Sequence, residues 1–450
     1  MLNLQILSIF LSFLEIYSTK VLLLSLDGFR WDYFYMHKEQ LPNLHKIAQN
    51  GVFVHNGLMN NWVTNTFPSH RSLLTGLYEE SHGIVGNTFF APELNDTFYK
   101  WTTDEKFWNW STPIWKVAED QGVPSGCVSI AGCDVKEQQP SHFVEWSRDY
   151  TFRDLIDKSV DMFMKPKSSK GRRNVDSSKE SKKPAEAVFF YYYKVDYAGH
   201  KYGPDGKEMK DVLKEVDNEL EYLVDRLATL RNFYNIYIDL IITSDHGMLS
   251  INKTIVLDND INKSVAKEVV NRGNIVHIWP YKDPSMEPKL MAAIDKIRKR
   301  YPKGFKVTRK EDLPDRLHFK KSIRCPPLML IAEPHYEFID QEDEDEGKQI
   351  RGNHGYYPER KDMHPIFIAS GRSFKENYNH TSPQIQLVDV MPLVAHLLNI
   401  TPNANNGSLR GVNKLLVPGV ASNQTFWIDS ATINSVNLLC LLLCCLKILF

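Results

Sequence analysis

Five runs along the chain are almost continuously apolar: VLLLSL (21–26), AVFFYYY (187–193), YIDLIIT (237–243), LMLIAE (328–333) and HPIFIAS (364–370). A strand with one wet face alternates polar and apolar residues, whereas a strand covered on both faces does not. These runs therefore predict strands buried in a parallel sheet. Between them the period changes. LPNLHKIAQNG (41–51) reads as a short helix closed by Gly51. DVLKEVDNELEYLVDRLATL (211–230) places Leu213, Val216, Leu220, Leu223, Val224, Leu227 and Leu230 on one helical stripe. Strands alternating with helices predict an α/β fold, a central and mostly parallel sheet flanked by helices.

Two segments interrupt this pattern. Residues 165–187 are polar, Ser-rich and basic and read as a mobile surface insertion; DQEDEDEG (340–347) reads as an acidic loop. The ends of the chain are different again. Residues 1–18 read as a secretory signal peptide, with LNLQILSIFLSFL as its apolar region and Ser18 as the small residue before the cut. Residues 426–450 read as a C-terminal hydrophobic membrane-anchor segment. Its run VNLLCLLLCCLKILF (436–450) is shorter than the ~20 residues that cross a bilayer and has small residues upstream. Both a GPI signal and a single transmembrane anchor fit it. Residues 19–425 are left as one domain. With 42% hydrophobic residues the chain of 450 can bury a large core, and a net charge of −1 argues against a nucleic-acid-binding surface.

Outside the anchor segment the cysteines are Cys127, Cys133 and Cys325, an odd number, with Cys127–Cys133 the nearest pair. N-glycosylation sequons begin at Asn95, Asn109, Asn252, Asn262, Asn379, Asn399, Asn406 and Asn423, which fits an extracellular location on the cell surface.

Three of the apolar runs lead into coordinating residues. The first meets Asp27 in SLDGFR. The second meets Asp196 and His200 in VDYAGH. The third meets Asp245 and His246 in TSDHGM. Ligands of open α/β sheets bind beyond the carboxyl ends of the strands, so these side chains are expected at one edge. His354 adds an imidazole between two glycines in RGNHGYY. Carboxylates and imidazoles without thiolate suit zinc in a hydrolytic role, ahead of manganese or iron. Three aspartates and three histidines exceed one tetrahedral ion and suit two ions. NTFPSHRSLLTGL (65–77) offers a nucleophile: Pro68 fits a first helical turn, with Asn65 or Thr66 at its cap. A threonine hydroxyl there faces the positive end of a helix.

Together, LLLSLDGFRWDY, NTFPSHRSLLTGLYEESHGIVGN, DYAGHKYGP, LIITSDHGM, GNHGY and LLNITPNANNGS resemble the nucleotide pyrophosphatase/phosphodiesterase family of the alkaline-phosphatase superfamily. The resemblance spans roughly residues 20 to 420. It implies an alkaline-phosphatase-like fold and two Zn2+ ions. One would be held by Asp27, Thr66, Asp245 and His246, the other by Asp196, His200 and His354. It also implies Thr66 as nucleophile, forming a covalent nucleotidyl intermediate, and Asn87 as donor to a phosphate oxygen. Phe67 and Trp146 would sandwich the base, with Tyr191 lining the same pocket. The chain departs from the pattern at Lys194 and Val195, where the family often has an acid and a proline before the second-site aspartate. It has no cysteine-rich modules and resembles the short members.

Short members split between nucleotides and choline phospholipids. The leading expectation is a monomeric cell-surface enzyme that hydrolyses extracellular nucleotides or dinucleotides and releases nucleoside 5′-monophosphate. The alternatives are a lysophospholipase C-like phosphodiesterase, for which no quaternary-ammonium cage is visible, and a non-catalytic surface binding protein.

Overall fold

The computed structural model describes residues 19–164, 183–257, 261–270, 273–340 and 350–421. The signal peptide, nearly all of the basic insertion, most of the acidic loop and the anchor segment lie outside these residues. Among the described residues no helix is long and apolar enough to cross a membrane.

The main sheet has eight strands: β1 (Lys20–Leu26), β2 (Gly51–Val54), β3 (Ser125–Val128), β4 (His142–Val144), β5 (Ala187–Tyr192), β6 (Ile238–Thr243), β7 (Phe367–Ser370) and β8 (Tyr378–His380). Their spatial order is β8-β2-β7-β6-β1-β5-β3-β4. Only β7 runs antiparallel to its neighbours, so the fold is α/β with a mostly parallel sheet, as the apolar runs predict. Strand β1 shows why its sequence lacks alternation. Val21 and Leu23 enter one core, while Leu22, Leu24 and Leu26 enter another on the opposite face. Each of these leucines, fully withdrawn from water, contributes on the order of 2 kcal/mol.

The four helices that matter here are α1 (Pro42–Gln49), α2 (Thr66–Thr75), α3 (Lys194–Tyr202) and α4 (Lys207–Tyr234). Helix α4 is longer at both ends than the stripe predicts. Leu213, Val216, Leu220, Leu223 and Leu230 are buried, but Val224 is exposed and Leu227 only partly covered. Asp217 shares the buried face. Its carboxylate accepts from the N–H groups of Asn43 (3.0 Å) and Leu44 (2.8 Å), at the free amino end of α1. Substituting Asp217→Ala is expected to destabilise the fold by about 1–3 kcal/mol, read as a lower denaturant midpoint at unchanged slope. An unchanged midpoint would refute the capping role.

The run at 328–333 does not join the main sheet. Leu328–Ala332 lies in a separate antiparallel sheet with Glu268–Val270, Ile275–Trp279 and Phe305–Arg309. Met329 and Ile331 pack on an aromatic cluster, and Leu328 and Leu330 pack with Ile294 and Ile297 of a helix. Burial on both faces yields the same apolar run in either sheet, so the pattern could not say which. Cys127 and Cys133 form the pair expected from their proximity, and Cys325 is free and buried.

Candidate active site

Strands β5, β1 and β6 are adjacent and parallel, so their carboxyl ends lie side by side. Asp27 follows β1, and its N–H still reaches the Tyr192 carbonyl at 2.9 Å. Asp196 and His200 sit one turn apart on α3, just beyond β5. Asp245 and His246 follow β6. His354 comes from far along the chain. Its approach is set by a two-residue antiparallel pairing, Gly352 with Ser250 and Asn353 with Leu249. Gly28 allows the first two loops to touch: at φ 67° it sits in the left-handed region, and a Cβ there would lie 2.9 Å from Asp196 Cα.

Each histidine is held by one ring nitrogen and presents the other. Nδ1 donates to a backbone carbonyl in all three: Gly247 for His246 (2.9 Å), Gly352 for His200 (2.8 Å) and Thr64 for His354 (2.9 Å). The Nε2 atoms therefore face the carboxylates. His246 Nε2 lies 3.4 Å from Asp27 Oδ1, 3.2 Å from Asp245 Oδ2 and 3.3 Å from Thr66 Oγ1. Asp196 meets His200 at 3.3 Å and His354 at 3.6 Å. Asp27 Oδ1, Asp196 Oδ1 and Asp245 Oδ2 are buried and accept no hydrogen bond. Lone pairs converging on lone pairs repel one another unless a cation lies among them. Two groupings have that form, Asp27–Asp245–His246 and Asp196–His246–His354. His246 belongs to both, where the sequence placed it in the first alone, and its ring stacks on His354 at 3.6 Å.

The protonation equilibria reflect this crowding. Burial, reinforced by Asp245 and Asp196, pushes the Asp27 carboxyl well above the usual carboxylate range. Burial opposes charge on His200, but Asp196 outweighs it and carries the imidazole up to about 9. His354 is driven well below the ordinary histidine value by burial and then by His246.

Thr66 is the first residue of α2, and Asn65 takes the cap position in extended conformation. Asn87 Oδ1 accepts from the Phe67 N–H at 2.9 Å, which ties its amide to the residue after Thr66. His70, one turn after Thr66 on α2, was not singled out from sequence. Its Nδ1 lies 2.8 Å from the Thr66 carbonyl and 3.4 Å from Asp245 Oδ2, and its Nε2 lies 2.9 Å from Ser25 Oγ. Burial holds it neutral, so it donates from Nδ1 and accepts from Ser25. The four-residue spacing from Thr66 in TFPSH was the available signal.

The residues expected to contact substrate divide. Phe67 and Trp146 line one slot, together with Trp101, which the sequence did not flag. Tyr191 does not line that slot. It is buried, and its hydroxyl donates to Asp27 Oδ2, because its position in β5 turns the ring towards β1 and His70. Substituting Tyr191→Phe would leave that oxygen without its donor. Metal affinity is expected to fall about tenfold with little change in melting temperature. Wild-type affinity in a metal titration would exclude this support. Lys194 pairs with Glu215 at 2.5 Å and Val195 is buried, so neither departure reaches the carboxylates.

Residues 21–357 match the family model described as type I phosphodiesterase / nucleotide pyrophosphatase. The chain belongs to this family. Among curated members, human ectonucleotide pyrophosphatase/phosphodiesterase family member 5 is 35% identical, covering 88% of this chain and 78% of that protein. The bis(5′-adenosyl)-triphosphatase of Xenopus laevis is 33% identical, covering 88% and 81%. The solved structure of human ectonucleotide pyrophosphatase/phosphodiesterase 5 superposes with a TM-score of 0.76 at 34% identity, covering 88% of this chain and all of that one. A murine structure of the same protein, an inactive threonine-to-alanine variant in complex with AMP, also gives 0.76 at 32% identity, covering 89% and 100%. Phosphodiesterase and pyrophosphatase hydrolysis is thus this family member's general activity.

Proposed function

We propose that the chain is a two-zinc, cell-surface phosphodiesterase/nucleotide pyrophosphatase that releases nucleoside 5′-monophosphate through a covalent Thr66 intermediate. The observation that carries this reading is the convergence of three orphaned carboxylate oxygens with the imidazoles of His246 and His354, His246 Nε2 lying 3.3 Å from the Thr66 hydroxyl. Asp27, Thr66, Asp245 and His246 would hold one zinc, and Asp196, His200 and His354 the other. Zinc so held would lower the pKa of the hydroxyl and neutralise charge on the phosphoryl oxygens. Thr66 Oγ attacks the phosphorus of the nucleoside 5′-phosphoryl group, and the bond to the leaving group breaks. Water then attacks the same phosphorus, the bond to Oγ breaks, and the monophosphate leaves with the threonine restored. Asn87 Nδ2 and the amino end of α2 donate to the oxygens that gain charge. The AMP complex of the murine relative supports a nucleotide substrate, and its inactive threonine variant supports a threonine nucleophile.

Residues 1–18 would direct the chain to the secretory route, and residues 426–450 would anchor it by GPI or a single span. All seven sequon asparagines among the described residues are exposed, which supports an extracellular glycoprotein. The test is hydrolysis by the tail-deleted protein of three p-nitrophenyl reporters, with and without chelator: the thymidine 5′-monophosphate ester, phosphorylcholine and plain phosphate. Chelator-sensitive cleavage of the thymidine ester is expected to dominate. Preference for phosphorylcholine would move the assignment to choline lipids.

A further inference from the structure

The slot beside Phe67 already contains a ring. The Trp101 indole lies on Trp146 with centroids 4.4 Å apart and planes 28° apart, and it meets Phe67 edge-on at 5.5 Å. These are the separations of stacked and T-shaped aromatic pairs. Residues Ser129 to Asp134 complete the lining, and the space left has a volume of about 10 Å³, enough for one water. A nucleobase does not fit beside Trp101.

Trp101 is also unlike its neighbours. Phe67 is 3% exposed and Trp108 is 1% exposed, and both are core residues. Trp101 is 40% exposed. It sits in the turn after the strand Asp96–Tyr99, and its backbone is left-handed at φ 74°, a conformation that costs free energy for a tryptophan. Stacking on Trp146 is what the ring gains there.

We propose that Trp101 is an intramolecular occupant of the base slot, which a nucleobase must displace to stack on Trp146. The residue then sets the preference for substrates that carry a base over those that do not. A base entering the slot exchanges one stack for another, so its net gain is smaller than in an open slot. A phosphodiester without a base leaves Trp101 in place. This rests on the nucleotide reading above.

The test compares Trp101→Ala, Trp101→Phe and wild type, all metal-loaded. The substrates are the p-nitrophenyl ester of thymidine 5′-monophosphate and methyl p-nitrophenyl phosphate, which lacks a base. AMP binding is measured by calorimetry alongside. For Trp101→Ala the ratio of kcat/KM, nucleoside ester over methyl ester, is expected to rise about tenfold, mainly through KM, with AMP binding tightened to match. Trp101→Phe should lie between. An unchanged ratio overturns the proposal, and a falling ratio makes Trp101 a wall that grips the base. If wild type cleaves neither ester, the catalytic reading fails, and the AMP titrations alone decide the occupancy of the slot. Melting curves identify a misfolded alanine variant, in which case the phenylalanine variant carries the comparison.

Discussion

Substituting Thr66→Ala is expected to lower kcat for the thymidine 5′-monophosphate ester by at least about a thousandfold, while the protein still folds and binds metal. The size follows from the role: removing a nucleophile forfeits the covalent route, and a thousandfold corresponds to roughly 4 kcal/mol of barrier. The selectivity follows from the surroundings. Thr66 Oγ1 approaches His246 Nε2 at 3.3 Å, but the other coordinating atoms do not depend on it. Helix α2 begins from Asn65 and is carried by buried residues such as Leu73 and Leu74, so stability should change by less than about 1 kcal/mol. Steady-state kinetics, metal analysis and a thermal melt settle it together. Retention of even a tenth of wild-type turnover would remove Thr66 from the chemistry, and loss of metal alongside activity would make it chiefly a ligand.

Stripping the metal is expected to abolish hydrolysis and to lower the melting temperature by several degrees, with zinc restoring both. Asp27, Asp196 and Asp245 converge with orphaned buried oxygens, and burial with its acidic neighbours pushes the Asp27 carboxyl upward. A cation that binds the folded site and not the unfolded chain stabilises by about 2.7 kcal/mol at a hundredfold excess over Kd. In a domain of this size that is a shift of several degrees. The comparison is a melt of dialysed protein before and after chelation and after zinc addition. An identical melting temperature in all three states would mean that the cluster holds no ion, and would favour a binding protein over an enzyme.

Much of this site was legible because it is built on strands buried on both faces. VLLLSL, AVFFYYY and YIDLIIT are almost continuously apolar, so their ends are sharp, and the candidate ligands Asp27, Asp196 and Asp245 lie within three residues of those ends. The structure sets them side by side as β5-β1-β6, so their carboxyl ends share one edge, where open α/β sheets carry their ligands. LMLIAE had the same texture and a different sheet, since double burial leaves the same pattern in either. The stripe on α4 misplaced Val224 because an average helical period drifts over so long a helix. Lys194 and Val195 depart from the family pattern without touching the carboxylate cluster, since one faces Glu215 and the other the core.

The amino-acid order by itself determined the sheet class, which acids and histidines follow the buried strands, and the threonine at a helix start, because each depends on local pattern. Tertiary structure alone decided which atoms meet. It placed His246 in both carboxylate groups, brought His354 in through the pairing of Gly352 with Ser250, turned Tyr191 onto Asp27 and laid Trp101 over Trp146. Those contacts join residues distant in sequence, and no local period encodes the distance between two side chains that only packing brings together.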